Sequence, residues 1–383
     1  MLHRLYLSPG MFGFGQLGGF GYFAHLREAL RARFVELGHE AVVHVVDVPP
    51  TASIRRRAAR LTEAVAESAQ EGDAVHLVGH STGGLDARLA ASPSARLLVD
   101  ARARGWLHSL RSVTTLNTPH YGTPLASFFA TKSGQQMLYA VSAFTFVALT
   151  LSAPPLTLAS ALVLAVGRVD QAVGVELRVL ERLTERLLGV LEPARSREVR
   201  AYLDAIQADQ GAVIQLTPEA MDLFQAGVED RPGVRYQCAV AAAPAPEAFG
   251  VARHLLSPWR LVSHGLFTTL YGLTARFDDR YPCAAPALTL EAERQLVSAL
   301  GRLPGVRSND GVVPVLSQIW GELVWAGAAD HLDVLGHFRG PTRGERGQGG
   351  HSDWLACGAE FDERAFRGLV AAVVAGMLRP ADG

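Results

Sequence analysis

Ala74-Val75-His76-Leu77-Val78-Gly79-His80-Ser81-Thr82-Gly83-Gly84 is the stretch on which the fold turns. An apolar run of strand length meets a Gly-x-Ser-x-Gly pattern, and Leu85-Asp86-Ala87-Arg88-Leu89-Ala90-Ala91 then continues with good helix formers. A strand that turns sharply into a helix holds the serine hydroxyl out at the end of a sheet. The serine sits at a strained backbone angle, and side chains two residues to either side would collide. Glycine is therefore needed at 79 and 83.

Outward from this turn the front half alternates. Leu2 to Leu7 reads as a strand, Tyr22 to Leu37 as a helix ending at Gly38, and Ala41 to Val48 as a strand stopped by Pro49-Pro50. Ser53 to Gln70 reads as a helix and Ser112 to Asn117 as a strand. Strands separated by helices of this length imply βαβ units and a mostly parallel sheet, the α/β class. Further strands are expected at Val234–Val240 and Glu322–Ala326, with a last helix from Asp362 to Leu378.

From Leu125 to Gln215 the alternation breaks. No charged side chain occurs between Lys132 and Arg168, and Pro154-Pro155 interrupts the apolar run, so neither half makes a straight membrane span. Val169, Val173, Leu177, Leu180, Leu183, Leu187 and Leu191 then recur at helical spacing, apart from Arg178, Glu181, Arg182, Glu185 and Arg186. The reading is an inserted helical cap, 125–215, over a core made of 1–124 and 216–383. Ordinary buried core is the plainer alternative for the same apolar segment.

A serine hydroxyl needs a positioned base, usually a histidine oriented by a carboxylate. Behind a turn of this kind the chain order is serine, carboxylate, histidine, with the last two in loops after late strands. Ser308-Asn309-Asp310-Gly311-Val312-Val313-Pro314 offers Asp310 in a turn-rich loop. Directly beyond the strand Glu322-Leu323-Val324-Trp325-Ala326 stands His331. Ser81, Asp310 and His331 are the expected triad. Rival carboxylates are Asp278, Asp279, Asp330 and Asp333, and rival histidines are His337 and His351. His120 precedes the carboxylate in chain order and reads as structural or site-lining, and His80 as a packing residue. An oxyanion needs two backbone donors. Thr82, just after the serine, should supply one, and the loop Ser8-Pro9-Gly10-Met11-Phe12-Gly13-Phe14-Gly15 the other, at Met11 or else Phe12.

Composition narrows the partners. The formal net charge is −1, which argues against nucleic acid. Three cysteines far apart suggest neither a disulfide framework nor a zinc site. The first apolar run is too short for a signal core, so a cytoplasmic location is expected.

These pieces together resemble the bacterial triacylglycerol lipase and esterase branch of the α/β-hydrolases. Gly79-His80-Ser81-Thr82-Gly83-Gly84, Leu116-Asn117-Thr118-Pro119-His120-Tyr121-Gly122-Thr123-Pro124, Asn309-Asp310-Gly311-Val312-Val313-Pro314 and Asp330-His331-Leu332-Asp333 carry the likeness. Leu216-Thr217-Pro218-Glu219-Ala220-Met221 and Pro232-Gly233-Val234-Arg235-Tyr236 add to it. The resemblance implies an α/β-hydrolase fold, the same triad, no cofactor, and a mobile lid over an acyl-binding cleft. Pro9-Gly10 departs from the His-Gly usual in such chains. Secreted members also hold a calcium near the histidine, where Asp333 matches one ligand position but His337 replaces an oxygen ligand, so no tightly bound calcium is expected.

The expected activity is cleavage of lipid-like acyl esters, with transient lipid contact through residues 133–167. An acyltransferase or thioesterase would use the same three residues, and a non-catalytic hydrolase-like binding protein is the reading from another class.

Overall fold

The apolar runs become the parallel strands β1 (His3–Ser8), β2 (Ala41–Val45), β3 (Ala74–His80), β4 (Leu110–Leu116), β5 (Arg235–Ala242) and β6 (Glu322–Ala328) of one sheet. The computed structural model of the chain describes residues 1–11, 21–151, 160, 177–246, 258–338 and 355–379. Strand order is β2-β1-β3-β4-β5-β6, so the chain runs outward from β1 to β2 and then crosses back to β3. The order reverses between β1 and β3. Loops leaving the carboxyl ends of two such strands part in opposite directions and open a crevice, the usual place for a site in a parallel sheet. Pairing of Ser8 with Gly79 brings the loop after β1 level with the serine turn.

Alternation along the strands sorts the two faces. Leu5, Leu7 and Val78 enter one buried cluster with Leu26, Leu30 and Phe34 of α1 (Ala24–Glu36). Tyr6, Val75 and Leu77 face the other way, onto Ala58, Leu61 and Val65 of α2 (Ile54–Ser68) and Ala87 and Ala90 of α3 (Thr82–Ala91). The Ser53 hydroxyl accepts from the Arg56 amide and caps α2.

Between β4 and β5 the described residues form helices and their connections. These are α4 (Pro124–Phe129), α5 (Lys132–Leu151), α6 (Leu177–Leu188), α7 (Pro193–Ala208), α8 (Gly211–Gln215) and α9 (Pro218–Gly227). Leu138 and Val141 of α5, Leu187 and Leu188 of α6 and Leu203 and Ile206 of α7 are buried in the same cluster as Leu7 and Val78. Two hydrogen bonds fasten the far end of this block to the loop before α2. The Ala212 amide donates to the Thr51 carbonyl at 2.9 Å, and the Ile54 amide to Gln215 Oε1 at 2.7 Å. Among the described residues no helix is long and apolar enough to cross a membrane. Of the uncharged stretch 133–167, residues 152–159 and 161–167 lie outside the described residues, as do 169–176 of the amphipathic run.

Some boundaries move. Strand β2 stops at Val45, and β3 runs on to His80 because its pairing with β4 continues to Leu116. Helix α1 starts at Ala24, leaving Tyr22 and Phe23 in the approach to it. Helices α10 (Pro258–Thr274) and α11 (Leu290–Leu300) stand where no element was expected, before the expected last helix α12 (Glu363–Leu378). The three cysteines are buried, and none is joined to another by a disulfide.

Candidate active site

Ser81 has φ 54° and ψ −128°, between the end of β3 and the first residue of α3. Holding a non-glycine residue there costs roughly 1–3 kcal/mol, which the surrounding packing must offset. The flanking glycines make room for it. A Cβ on Gly79 would lie 2.2 Å from the Gly83 carbonyl carbon, and one on Gly83 would lie 2.0 Å from the Ser8 carbonyl oxygen. The Ser81 amide donates to the Leu116 carbonyl at 2.9 Å, which fixes the turn to β4. Thr82 opens α3, so its amide belongs to the electropositive end of that helix.

His331 and Asp310 meet beyond the ends of β5 and β6. His331 Nδ1 lies 2.7 Å from Asp310 Oδ2, and the His331 amide donates to the Asp310 carbonyl at 3.0 Å. The carboxylate is surrounded by donors. The amides of Val312 and Val313 reach Oδ1 at 2.9 and 2.7 Å, and Gln318 Nε2 donates to Oδ2 at 3.2 Å. A carboxylate so placed is an acceptor only, so Nδ1 carries the proton and Nε2 keeps its lone pair. Ser81 follows His80, whose ring centroid lies 4.6 Å from that of His331. Among the described residues Ser81 Oγ makes no hydrogen bond. Such contacts commonly tighten only when substrate arrives.

The loop after β1 closes the other side of the serine. A Cβ on Gly10 would come within 2.8 Å of Ser81 Cβ, so this backbone passes directly over the serine. Arg57 of α2, fully buried, anchors the loop. Its guanidinium donates to Asp86 of α3 and to the carbonyls of Pro9, Pro49 and Pro50, leaving none of its N–H groups idle. Ser8 Oγ donates to the same Asp86 carboxylate at 2.9 Å. Burial pushes the Asp86 carboxyl up and the Arg57 charge pulls it back. Met11 is buried beside Ser81, and Tyr202 of α7 donates to its carbonyl at 3.4 Å. Phe12, the other expected donor, lies outside the described residues, as do Gly13 and Gly15.

Among the described residues, the rival groups other than Asp279 have partners of their own. His120 contacts Arg88 Nη1 and Thr115 Oγ1 at 3.2 and 3.1 Å, and burial with the Arg88 charge keeps its ring far below histidine's ordinary range. His337 Nε2 donates to the Tyr22 carbonyl at 3.0 Å. Asp278 pairs with Arg280, Asp279 is exposed, and His351 is outside the described residues. Asp330 Oδ1 accepts from the amides of Leu332 and Asp333, and Asp333 Oδ2 accepts from the Asp330 amide. Ligand atoms of Asp330, Asp333 and Cys357 come within 4.8 Å of one another. Calcium takes six to eight oxygens, so a donor set holding a thiol fits it poorly. Arg57, Tyr22 and Gln318 escape a reading of the sequence. Tyr22 and Arg57 reach the site through residues distant in the chain, Gln318 meets Asp310 across an irregular loop, and no spacing signals any of them.

A narrow cavity lies against Ser81, lined by Met11, Pro119, Leu125, Phe129, Leu216 and Val312 among others. Its walls are almost wholly apolar, and α4 supplies the side chains facing the serine turn.

This sheet order, with a serine at a strained strand-to-helix turn, is the α/β-hydrolase fold. Among solved structures the chain is similar to EstA from Clostridium botulinum, at 17% identity over 94% of this chain and 86% of that one, with a TM-score of 0.52. It is similar also to a metagenomic carboxyl esterase, at 16% identity, 98% and 75% coverage and a TM-score of 0.50. Staphylococcus hyicus lipase gives 14% identity, 97% and 94% coverage and a TM-score of 0.50. No protein-family model and no curated protein matches the sequence. At these identities the likeness is one of fold.

Proposed function

We propose that this chain is a serine ester hydrolase, a lipase or carboxylesterase that cleaves lipid-like acyl esters through an acyl-enzyme. The observation that carries the reading is the Asp310–His331 pair, with its imidazole lone pair free, beside a serine held at φ 54°. Ser81 Oγ attacks the ester carbonyl while His331 Nε2 takes its proton. The resulting oxyanion accepts hydrogen bonds from the Thr82 and Met11 amides. His331 then returns the proton to the leaving alkoxide, and the carbon–oxygen bond to the alcohol breaks. Water, deprotonated by the same imidazole, repeats the sequence and frees the acid. Asp310 orients the ring and stabilises its charged form.

The apolar cavity beside Ser81 supports an acyl chain as the bound group. The helical cap of residues 125–215 is the natural cover for that chain, with the stretch 133–167 as its lipid-facing part. Labelling with an alkyl fluorophosphonate followed by peptide mass spectrometry tests the assignment. An adduct on Ser81, formed at least 100-fold more slowly in His331→Ala, is expected. A fully folded protein that takes no label, or takes it elsewhere, would contradict it.

A further inference from the structure

We propose that Tyr22 is a positioning residue of this site, bracing the oxyanion loop against the backbone of the segment that carries His331; the role rests on the ester-hydrolase reading above. Tyr22 stands in the approach to α1, yet its side chain turns inward and is buried. Its hydroxyl lies 2.6 Å from His80 Nδ1, and the opposite ring nitrogen, His80 Nε2, lies 2.8 Å from the His331 carbonyl oxygen. Only one arrangement of protons satisfies both contacts. A carbonyl only accepts, so Nε2 carries the hydrogen; Nδ1 then holds a lone pair, and the phenol donates to it.

On its other side the phenol oxygen meets the oxyanion loop. A Cβ on Gly10 would lie 3.2 Å from it, so the loop backbone passes against the phenol. The chain of contacts therefore runs from the Gly10 backbone to the Tyr22 hydroxyl, and from there by hydrogen bonds through His80 to the carbonyl of His331. Asn117 Nδ2 also reaches that carbonyl, at 3.5 Å. The Tyr22 main chain is held from the same quarter by His337 Nε2.

Two facts make this more than packing. Gly10 immediately precedes Met11, so rotation of the Pro9–Gly10 peptide would swing the proposed donor amide away from the oxyanion. Arg57 already holds the carbonyl of that peptide, and the Tyr22 hydroxyl packs against Gly10 on its other side, so the loop is held from both directions. The chain also stays in one protonation state. Burial keeps the His80 ring neutral and raises the Tyr22 phenol, so neither link changes its role across the working range of a histidine base.

Tyr22→Phe removes one oxygen and leaves the ring against Phe23. A misplaced oxyanion donor weakens the transition state and spares substrate binding. The expected result is a kcat lowered about 10- to 100-fold with KM within about twofold, measured per site titrated with a chromogenic ester. The inhibition constant of an alkylboronic acid, which mimics the tetrahedral adduct, should rise by the same factor as kcat falls. Should Tyr22→Phe not fold, His80→Asn breaks the same link from the other end and should give the same split. A kcat and boronate affinity both within twofold of wild type would overturn the role, as would a loss confined to KM. Failure of wild type to show any Ser81-dependent hydrolysis would remove the underlying reading and the role together.

Discussion

At the scale of single residues the site depends on what glycine and carboxylate allow. A Cβ on Gly83 would meet main-chain oxygen at 2.0 Å, and no side-chain rotation relieves a clash with backbone. Gly83→Ala should therefore abolish activity and lower the melting temperature sharply. Gly272→Ala, within α10 with open space around it, should instead stabilise by roughly 0.5–1 kcal/mol. Equal melting temperatures for the two variants would show that the turn is not closed by contact. Asp310→Asn replaces an acceptor by a group that can present N–H to His331 Nδ1 and so favours the wrong tautomer. A fall in kcat of about 10³- to 10⁴-fold with an unchanged circular dichroism spectrum is expected. A rate near wild type would place the orienting carboxylate elsewhere. The proposed triad of Ser81, Asp310 and His331 rests on order along the chain and on places after strands, both of which are properties of sequence. Tyr22, Arg57 and Gln318 carry no such signal, because Tyr22 and Arg57 reach His80, Pro9 and Asp86 only through the fold, and Gln318 meets Asp310 across an irregular loop whose shape no spacing encodes.

Elements are legible where apolar periodicity is clean. Each expected strand is present, its ends shifted by partners that no single strand encodes; β2 loses its last residues and β3 gains two. Helix α11 carried its own marks, with the Thr289 hydroxyl capping the Ala292 amide and left-handed Gly301 ending it, but it stood outside the alternating front half. Helices α2 and α3 are joined at a buried charged point, Arg57 against Asp86, both wholly shielded from water. Arg57→Met would leave the Asp86 carboxylate buried without its partner and should cost roughly 3–5 kcal/mol in urea unfolding. Arg57→Lys cannot span Asp86 and three carbonyls and should lose activity more than stability; a fully active lysine variant would deny the loop its anchor. For the helical block the measurable consequence is interfacial. If α5 and the apolar stretch after it form a moving cover, the rate per enzyme should rise when a soluble ester passes its solubility limit or meets detergent. A rate indifferent to the interface would leave the block as fixed core.

The molecule as a whole inherits its site from topology, since reversal of strand order between β1 and β3 sets both loops at one crevice. That reversal was not readable from the alternation of strands and helices, which is the same for any order. At the opposite end of the sheet His3 and His76 share a 3.0 Å contact, and burial lowers them to about 4 and about 3 from 6.5. The unfolded chain binds these protons first, so stability should fall as pH drops from about 6.5 toward 4. The double variant His3→Gln, His76→Gln should flatten the melting temperature over that interval, and parallel wild-type and variant curves would refute the assignment. The most direct test of the central claim is the initial rate of hydrolysis of p-nitrophenyl esters from acetyl to palmitoyl, with Ser81→Ala alongside. Turnover that favours longer chains and vanishes in Ser81→Ala is the predicted result; no Ser81-dependent turnover on any ester would contradict the account.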